Sequence, residues 1–442
     1  MWASAVPANL GPITGALLSD DYAPMPYWWE GVDLPDPMGE RPSASVDVAV
    51  VGGGYTGLGA ALELARRGRS VAVLDSGGIA RGASSRNGGM VHPGVKHDLA
   101  TLLTQARGRR RFDDTLAAYD GLVDLIAECG IDCDFAPTGH LELAHHARQV
   151  EGLRWAAAAY AQVGQAASFI GRDDLGDEIG SERFFGGLAV EHSGAVHPAK
   201  LAAGIAQAAV SAGASLHPGT SVLGLERRGA GHAVRTTKGE VAAGEVIVAT
   251  NGTTDSSLVP WLGRRVLPIG SFIIATEPIG PEVAAGISPK GRMFFDTKNF
   301  LHYWRLSPDG TRVLFGGRTS FSPTTLEAAR DALYGALVQV HPALAGVRVA
   351  RAWGGQVALT VDRMPHIGRH EASGALYAMG YCGTGVAASV HFGRCLGRWL
   401  CDDGELPSFA LDRWRPVPAP ARVRGLLPVA GWWYRALDAL GR

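Results

Sequence analysis

Apolar residues in this chain fall into two periodicities. Val46–Val51 is almost entirely apolar and mostly β-branched, the pattern of a strand buried on both faces of a parallel sheet. Leu58, Leu62 and Ala65 follow at i, i+4 and i+7, which predicts a helix with one stripe against that sheet. Val71–Leu74 is a second fully apolar strand, and Val246–Ala249 a third. Elsewhere the pattern alternates. Val266–Thr276 and Leu301–Leu306 read as antiparallel strands, the latter joined to Arg312–Gly316 through the turn residues Ser307, Pro308, Asp309 and Gly310. In Leu301–Leu306, period two places Tyr303 and Arg305 on one face and His302, Trp304 and Leu306 on the other. Alanine-rich Ala199–Ala212, opening after His197 and Pro198, predicts a helix. Arg422–Leu440 predicts a C-terminal helix with two tryptophans, expected to pack across a domain junction.

The glycines explain what the first strand supports. Gly52, Gly54 and Gly57 have G-x-G-x-x-G spacing, with Tyr55 and Thr56 inside it. The first permits a tight turn, the second lets a diphosphate approach the backbone, and the third lets helix and strand pack closely. Asp75, at the end of the second strand and followed by Ser76, stands where an acid accepts hydrogen bonds from a ribose. The spacing alone is weak, but strand, helix, second strand and acid are all present, so a dinucleotide-binding unit is predicted. The next stretch, Gly77–Gly94, runs through small and polar residues suited to lining an isoalloxazine ring, which favours a flavin over a nicotinamide. Gly380, Gly383 and Gly385 have G-x-x-G-x-G spacing with no strand ending in an acid before Pro407, so they do not form a second dinucleotide site.

Three segments carry a family resemblance: Tyr27–Glu30 (YWWE), Gly52–Leu58 (GGGYTGL) and Gly82–Gly89 (GASSRNGG). The chain resembles the D-amino-acid-oxidase-like family of FAD-dependent amine and amino-acid oxidoreductases, most closely its gamma-glutamylputrescine oxidoreductase-like branch. The resemblance implies an α/β fold, α+β overall: a Rossmann-type FAD-binding domain with a discontinuous, largely antiparallel substrate domain. The expected organisation is an N-terminal extension (1–45), FAD-binding segments (46–100, 185–255, 345–405), substrate-domain segments (101–184, 256–344) and a C-terminal helical extension (406–442).

By the same resemblance the strand ending at Ala249 returns to the FAD sheet, and the glycine loop near Gly380 lies at the flavin's pyrimidine edge. The residues assigned to the cofactor are Gly52, Gly54, Tyr55, Thr56, Gly57, Asp75, Ser76, Ala83, Ser84, Ser85, Asn87, Gly88, Gly89, Met90, Val222, Ala249, Thr250, Asn251, Gly355, Gly380, Tyr381, Cys382, Gly383, Thr384, Gly385 and Val386. Relatives that attach flavin covalently use a cysteine about where Gly355 stands, and Cys382 falls at the opposite ring edge, so dissociable, non-covalent FAD is expected. The implied reaction is hydride transfer from the carbon bearing an amine to flavin N5, followed by imine hydrolysis and reoxidation by oxygen to hydrogen peroxide. Rival readings are a same-fold dehydrogenase with another electron acceptor, an NAD-dependent dehydrogenase, and a non-catalytic flavin-binding protein. On the substrate side the candidates are Tyr303 and Arg305, an aromatic wall and a carboxylate-binding fork, with Arg318 a second anion binder and His92, just after the flavin segment, the histidine of interest.

Composition narrows the partners. The 442 residues are 46% hydrophobic and 19% charged, and 60 glycines suit a turn-rich α/β enzyme. Lysine plus arginine (41) against aspartate plus glutamate (42) leaves a net charge of −1, so no global field draws the protein to nucleic acid or an anionic membrane. The partners expected are a small amine or amino acid and an electron acceptor. Five cysteines without metal-type spacing fit a reducing cytoplasm and no metal site. The N-terminus lacks the basic and continuous apolar regions of a secretion signal, and no run reaches 18 apolar residues.

Overall fold

The computed structural model describes residues 17–34, 40–254, 256–317, 324–411, 413–417 and 420–441. Val46–Val51 lies at the centre of an eight-stranded sheet. Ser215–His217, Val71–Leu74, Ser45–Val51 and Gly239–Val248 run parallel in that order, and Leu376–Met379 adds to the far half of Gly239–Val248, also parallel. The strands Val222–Arg228 and Gly231–Thr236 form an antiparallel meander on the near half, and His366–Arg369 pairs antiparallel with Leu376–Met379. The continuous apolar runs are explained by helices. Tyr55–Arg66 buries Leu58, Leu62 and Leu64 completely, in one core with Val48, Val50, Val73 and the helices Pro198–Ser211 and Gly385–Trp399.

A nine-stranded sheet packs alongside, in the order Leu18–Ala23, Val349–Leu359, Leu267–Thr276, Val313–Gly317, His302–Leu306, Met293–Asp296, His140–Leu143, Gly186–Val190, Ala167–Gly171. It is antiparallel except where Leu18–Ala23 meets Val349–Leu359 and Met293–Asp296 meets His140–Leu143. Period two decides its faces. Leu141, Phe294, Trp304, Phe315 and Ile274 turn to one side, into a core with Leu333 and Leu337 of the helix Leu326–Val340. Ile273, Leu314 and Trp353 turn to the other, around the fully buried Trp28.

Three strands of this sheet come from segments grouped elsewhere in the sequence reading. Val349–Leu359, allotted to the FAD-binding part (345–405), and Gly186–Val190, allotted to 185–255, are strands of the nine-stranded sheet, and Leu18–Ala23 of the N-terminal extension is its edge. Leu267–Thr276 pairs with Val349–Leu359 over ten residues, and that long ladder ties the two segments together despite their separation in sequence. The C-terminal helix, Pro420–Leu440, docks through Asp438. Its carboxylate accepts from the Asn299 and Phe300 amides (2.6 and 3.0 Å), while Tyr434 accepts from Arg363 at 3.2 Å. Among the described residues no helix is long and apolar enough to cross a membrane.

Candidate functional site

The glycine turn is built by close approach. Gly52 has φ +106°, and a Cβ there would lie 2.9 Å from the Ala249 carbonyl oxygen; a Cβ on Gly57 would lie 2.0 Å from that of Gly52. Neither tolerates a side chain. The helix that follows has Gly54 at its N-cap and no side-chain cap, so its first turn presents backbone N–H groups and the positive end of its dipole. Asp75 is held toward this turn: its carboxylate accepts from the Gly53 amide (2.7 Å) and the Gly77 amide (2.9 Å). The Asp75 carbonyl accepts from Thr220, which leads into Val222 at the start of its strand.

The loop 83–90 closes one side. Ser84 accepts from the Tyr55 amide at 2.9 Å, and the Asn87 side chain donates to the Ala83 and Ser84 carbonyls and accepts from Gly89. Three tryptophans clasp this loop from outside. The Trp28 indole donates to the Asn87 carbonyl (2.7 Å), Trp29 to the Ser85 hydroxyl (2.9 Å) and Trp353 to the Arg86 carbonyl (2.9 Å). Arg81 and Arg86 lie 4.6 and 4.5 Å over the Trp29 ring, and Glu30 pairs with Arg351. Sequence reasoning used Tyr27–Glu30 only as a family signature and missed this role. The available signal was two adjacent indoles, each with an apolar body and one N–H that must find an acceptor when buried.

The late glycine loop reaches the same place. Gly380 donates to the Asn251 side chain (3.0 Å), and the hydroxyls of Tyr381 and Thr56 are 2.8 Å apart, both buried. The helix Gly385–Trp399 also begins without a side-chain cap, after Thr384. Cys382 is 3% exposed, its thiol donates to the Gly380 carbonyl, and burial pushes it up from its ordinary value. It is therefore a protonated thiol facing protein. Glycines that exclude side chains, uncapped helix starts and a pre-set acid together fit a dinucleotide with a flavin ring. Gly355, beside Arg86 on Val349–Leu359, offers no nucleophile.

Tyr303 and Arg305 lie on the face of the nine-stranded sheet that meets this loop. The Tyr303 ring fills the space above Gly316, where a Cβ would come within 2.4 Å of it, and a Cβ on Gly88 would come within 2.9 Å. Its hydroxyl is 3.3 Å from that of Ser271. Arg305, expected as a carboxylate fork, is bonded to backbone carbonyls through Nη1 and Nε. It is 6% exposed, and its Nη1 donates to the Gly89 (3.1 Å) and Val196 (2.9 Å) carbonyls and its Nε to Leu306. Burial pushes it down to about 10. A sequence shows the face an arginine takes but not which acceptors lie within reach. His92 donates from Nδ1 to the Pro93 carbonyl and sits 5.5 Å from the His140 ring and 6.1 Å from Phe295; burial lowers it, so it is a neutral imidazole. Arg318 lies outside the described residues. Among those described, no group of three acidic, histidine or cysteine side chains is placed to hold a metal.

The profile of the family described as FAD dependent oxidoreductase matches residues 47–399. A probable oxidoreductase OrdL of Rhizobium meliloti (strain 1021) is 33% identical over 428 residues, spanning 93% of this chain and 97% of that one. The gamma-glutamylputrescine oxidoreductase of Escherichia coli (strain K12) is 31% identical over 405 residues, spanning 90% and 94%. Among solved structures, glycine oxidase from Geobacillus kaustophilus superposes with a TM-score of 0.73 at 22% identity, covering 84% of this chain and 99% of that one, which establishes a shared fold.

Proposed function

The chain belongs to the FAD-dependent oxidoreductase family, and from that premise we propose that it oxidises an amine at the carbon next to nitrogen, with FAD held non-covalently and oxygen as the final acceptor. FAD, when bound, supplies the acceptor for the hydride leaving that carbon. The substrate loses a hydride and an N–H proton, becomes an imine, and water converts it to a carbonyl compound and a released amine. The protein's part is position and charge.

One observation carries the choice of substrate class: Arg305, the cation expected to clamp an amino-acid carboxylate, gives its Nη1 to the backbone carbonyls of Gly89 and Val196. That favours an amine over an α-amino acid. Tyr303 and Gly316 form the wall that keeps water from the reacting carbon. His92, with Nδ1 donating to Pro93, has its lone pair on Nε2 and is the group assigned to accept the amine proton. The buried thiol of Cys382 and the bare Gly355 support dissociable FAD, and the five unpaired cysteines support a reducing, cytoplasmic setting.

The test is anaerobic mixing of the purified flavoprotein with a panel of amines and amino acids. Loss of the flavin's visible absorption with an amine, and not with the matching α-amino acid, is the expected result. Admitting air then separates the acceptors: prompt recovery with peroxide marks an oxidase, slow recovery a dehydrogenase. A flavin that no amine bleaches refutes the reading.

A further inference from the structure

The C-terminal helix Pro420–Leu440 is docked with its polar side inward. Asp438 accepts from the Asn299 amide (2.6 Å), the Asn299 side chain (2.9 Å) and the Phe300 amide (3.0 Å), and its own carbonyl lies 3.0 Å from His145 Nε2. Tyr434, one turn earlier, accepts from Arg363, and at the helix end Arg148 donates to the Leu440 carbonyl at 3.0 Å. The apolar side faces out. Trp432 is 71% exposed, and Val429, Trp433 and Leu440 are exposed with it. Their spacing of i, i+3, i+4 and i+11 makes one stripe on the side of the helix away from Asp438. Nine large apolar side chains are exposed among the described residues, and four of them share this helix, so they form a local patch.

A surface helix of a globular protein turns its apolar stripe to the core and its polar side to water. Here the arrangement is reversed, and two neighbouring indoles stand in solvent. We propose that this stripe is the docking surface for an anionic lipid bilayer, on which the helix lies flat with Trp432 and Trp433 inserted at the level of the headgroups. Among the described residues no helix is long and apolar enough to span a membrane, so the contact is one of surface attachment.

Charge and area select this occupant. The helix sequence holds Arg422, Arg424 and Arg435 against a single acid, Asp438, and that acid is turned inward onto the Asn299 and Phe300 amides. Arg435 is exposed, as are Arg148 and Arg363, which bond to the helix at Leu440 and Tyr434. Asp362, beside Arg363, has its carboxylate taken by His366 Nε2 and the Met364 amide. Arginines beside an apolar, tryptophan-bearing stripe complement anionic headgroups over an acyl layer. A second copy of the chain is the poorer fit. Val429–Leu440 spans about 17 Å, and a strip one side chain wide along it covers on the order of 200 Å², against roughly 800 Å² per partner in a stable dimer. With a net charge of −1 the whole molecule is not drawn to the surface, so attachment rests on this patch and is reversible.

The experiment measures co-sedimentation of the holoenzyme with large vesicles, made either of phosphatidylcholine alone or of an equal mixture with phosphatidylglycerol. Wild type should sediment with the anionic vesicles and much less with the neutral ones, and raising the salt should weaken the association. Changing both tryptophans, Trp432→Ser with Trp433→Ser, should cut the partition coefficient by about tenfold or more, while FAD content and melting temperature hold. Val210→Ser removes an exposed apolar side chain from the helix Pro198–Ser211 and should bind as wild type does. Failure of wild type to sediment with anionic vesicles, equal binding to both lipid compositions, or binding that survives the double change overturns the proposal. So does a wild-type dimer in lipid-free sedimentation that the double change abolishes, because the stripe would then belong to a second copy. The lipid readout is independent of the amine-oxidation reading.

Discussion

Replacing Trp28 with phenylalanine isolates one strut of the cofactor loop. Trp28 is fully buried, packed edge-on to Tyr27 and His197 at ring distances of 5.3 and 4.9 Å, and its indole N–H is the donor to the Asn87 carbonyl at 2.7 Å. Phenylalanine keeps most of the apolar volume but removes that donor. A buried acceptor left without its partner costs about 1–3 kcal/mol, whereas Trp28→Ala adds a cavity and costs about 3–5 kcal/mol. Trp28 holds Asn87 from outside and makes no hydrogen bond to the Gly52–Gly57 turn, so the loss should act on the order of the loop. If ordering that loop is required for cofactor binding, the phenylalanine variant weakens FAD by about tenfold, since each 1.4 kcal/mol is one decade. The assay is quenching of flavin fluorescence on titrating apoprotein, with a thermal melt alongside. Trp155→Phe is the control, because Trp155 is 65% exposed and remote from the clasp. An unchanged FAD Kd and melting temperature in Trp28→Phe would show that the clasp has no part in holding the flavin loop.

Other outcomes follow from the same contacts. Arg305→Met leaves the Val196 carbonyl without its donor, while the Gly89 carbonyl keeps the Val196 amide, and should weaken FAD binding, while the relative KM for amines with and without a carboxylate stays the same; a selective loss of the carboxylate substrate would restore the fork reading. Acid precipitation should leave all the yellow colour in the supernatant, and Cys382→Ser should not alter this; pigment retained in the pellet of wild type would mean a covalent link. Glu63, 4% exposed, is bonded to Arg394 at 2.7 Å and to Arg67. Burial alone would raise its pKa, but the hydrogen bond and charge of Arg394 with that of Arg67 outweigh it and hold the carboxyl below its ordinary value. Its contribution is therefore present above the unfolded value and fades in acid, so Glu63→Gln should destabilise by about 3–5 kcal/mol at pH 7, with the difference from wild type narrowing in melts below pH 4.5. Glu142 has the opposite sign: its rise from 4.5 to about 7 takes at most about 3 kcal/mol from the folded state once the pH passes 7. Glu142→Gln should accordingly melt higher than wild type at pH 8 and equal to it at pH 4; a lower melting temperature at pH 8 would contradict the burial argument.

The legible parts of this chain were those where a local pattern carries its own physics. Val46–Val51, the glycines after it and Asp75 announced a dinucleotide turn because backbone approach demands those residue types within one short stretch. Alternation in Leu301–Leu306 separated Tyr303 and Arg305 from Trp304, and the structure keeps that division. What stayed hidden depends on partners distant in sequence. The ten-residue ladder of Val349–Leu359 with Leu267–Thr276 has no local signal, and none tells that Arg305 will meet two backbone carbonyls more than a hundred residues away. The neighbours of Glu142 were hidden for the same reason, since three strands separated in sequence set it in one row with Phe295 and Tyr303.

Diffraction from crystals of this protein with FAD bound would test the central claim most directly. The account predicts electron density for the diphosphate against the backbone of Gly52–Gly57, and for the ring between the Gly380–Gly385 loop and the sheet face bearing Tyr303. Density for the diphosphate elsewhere, or a ring on the side of Trp304 and Phe315, would contradict it.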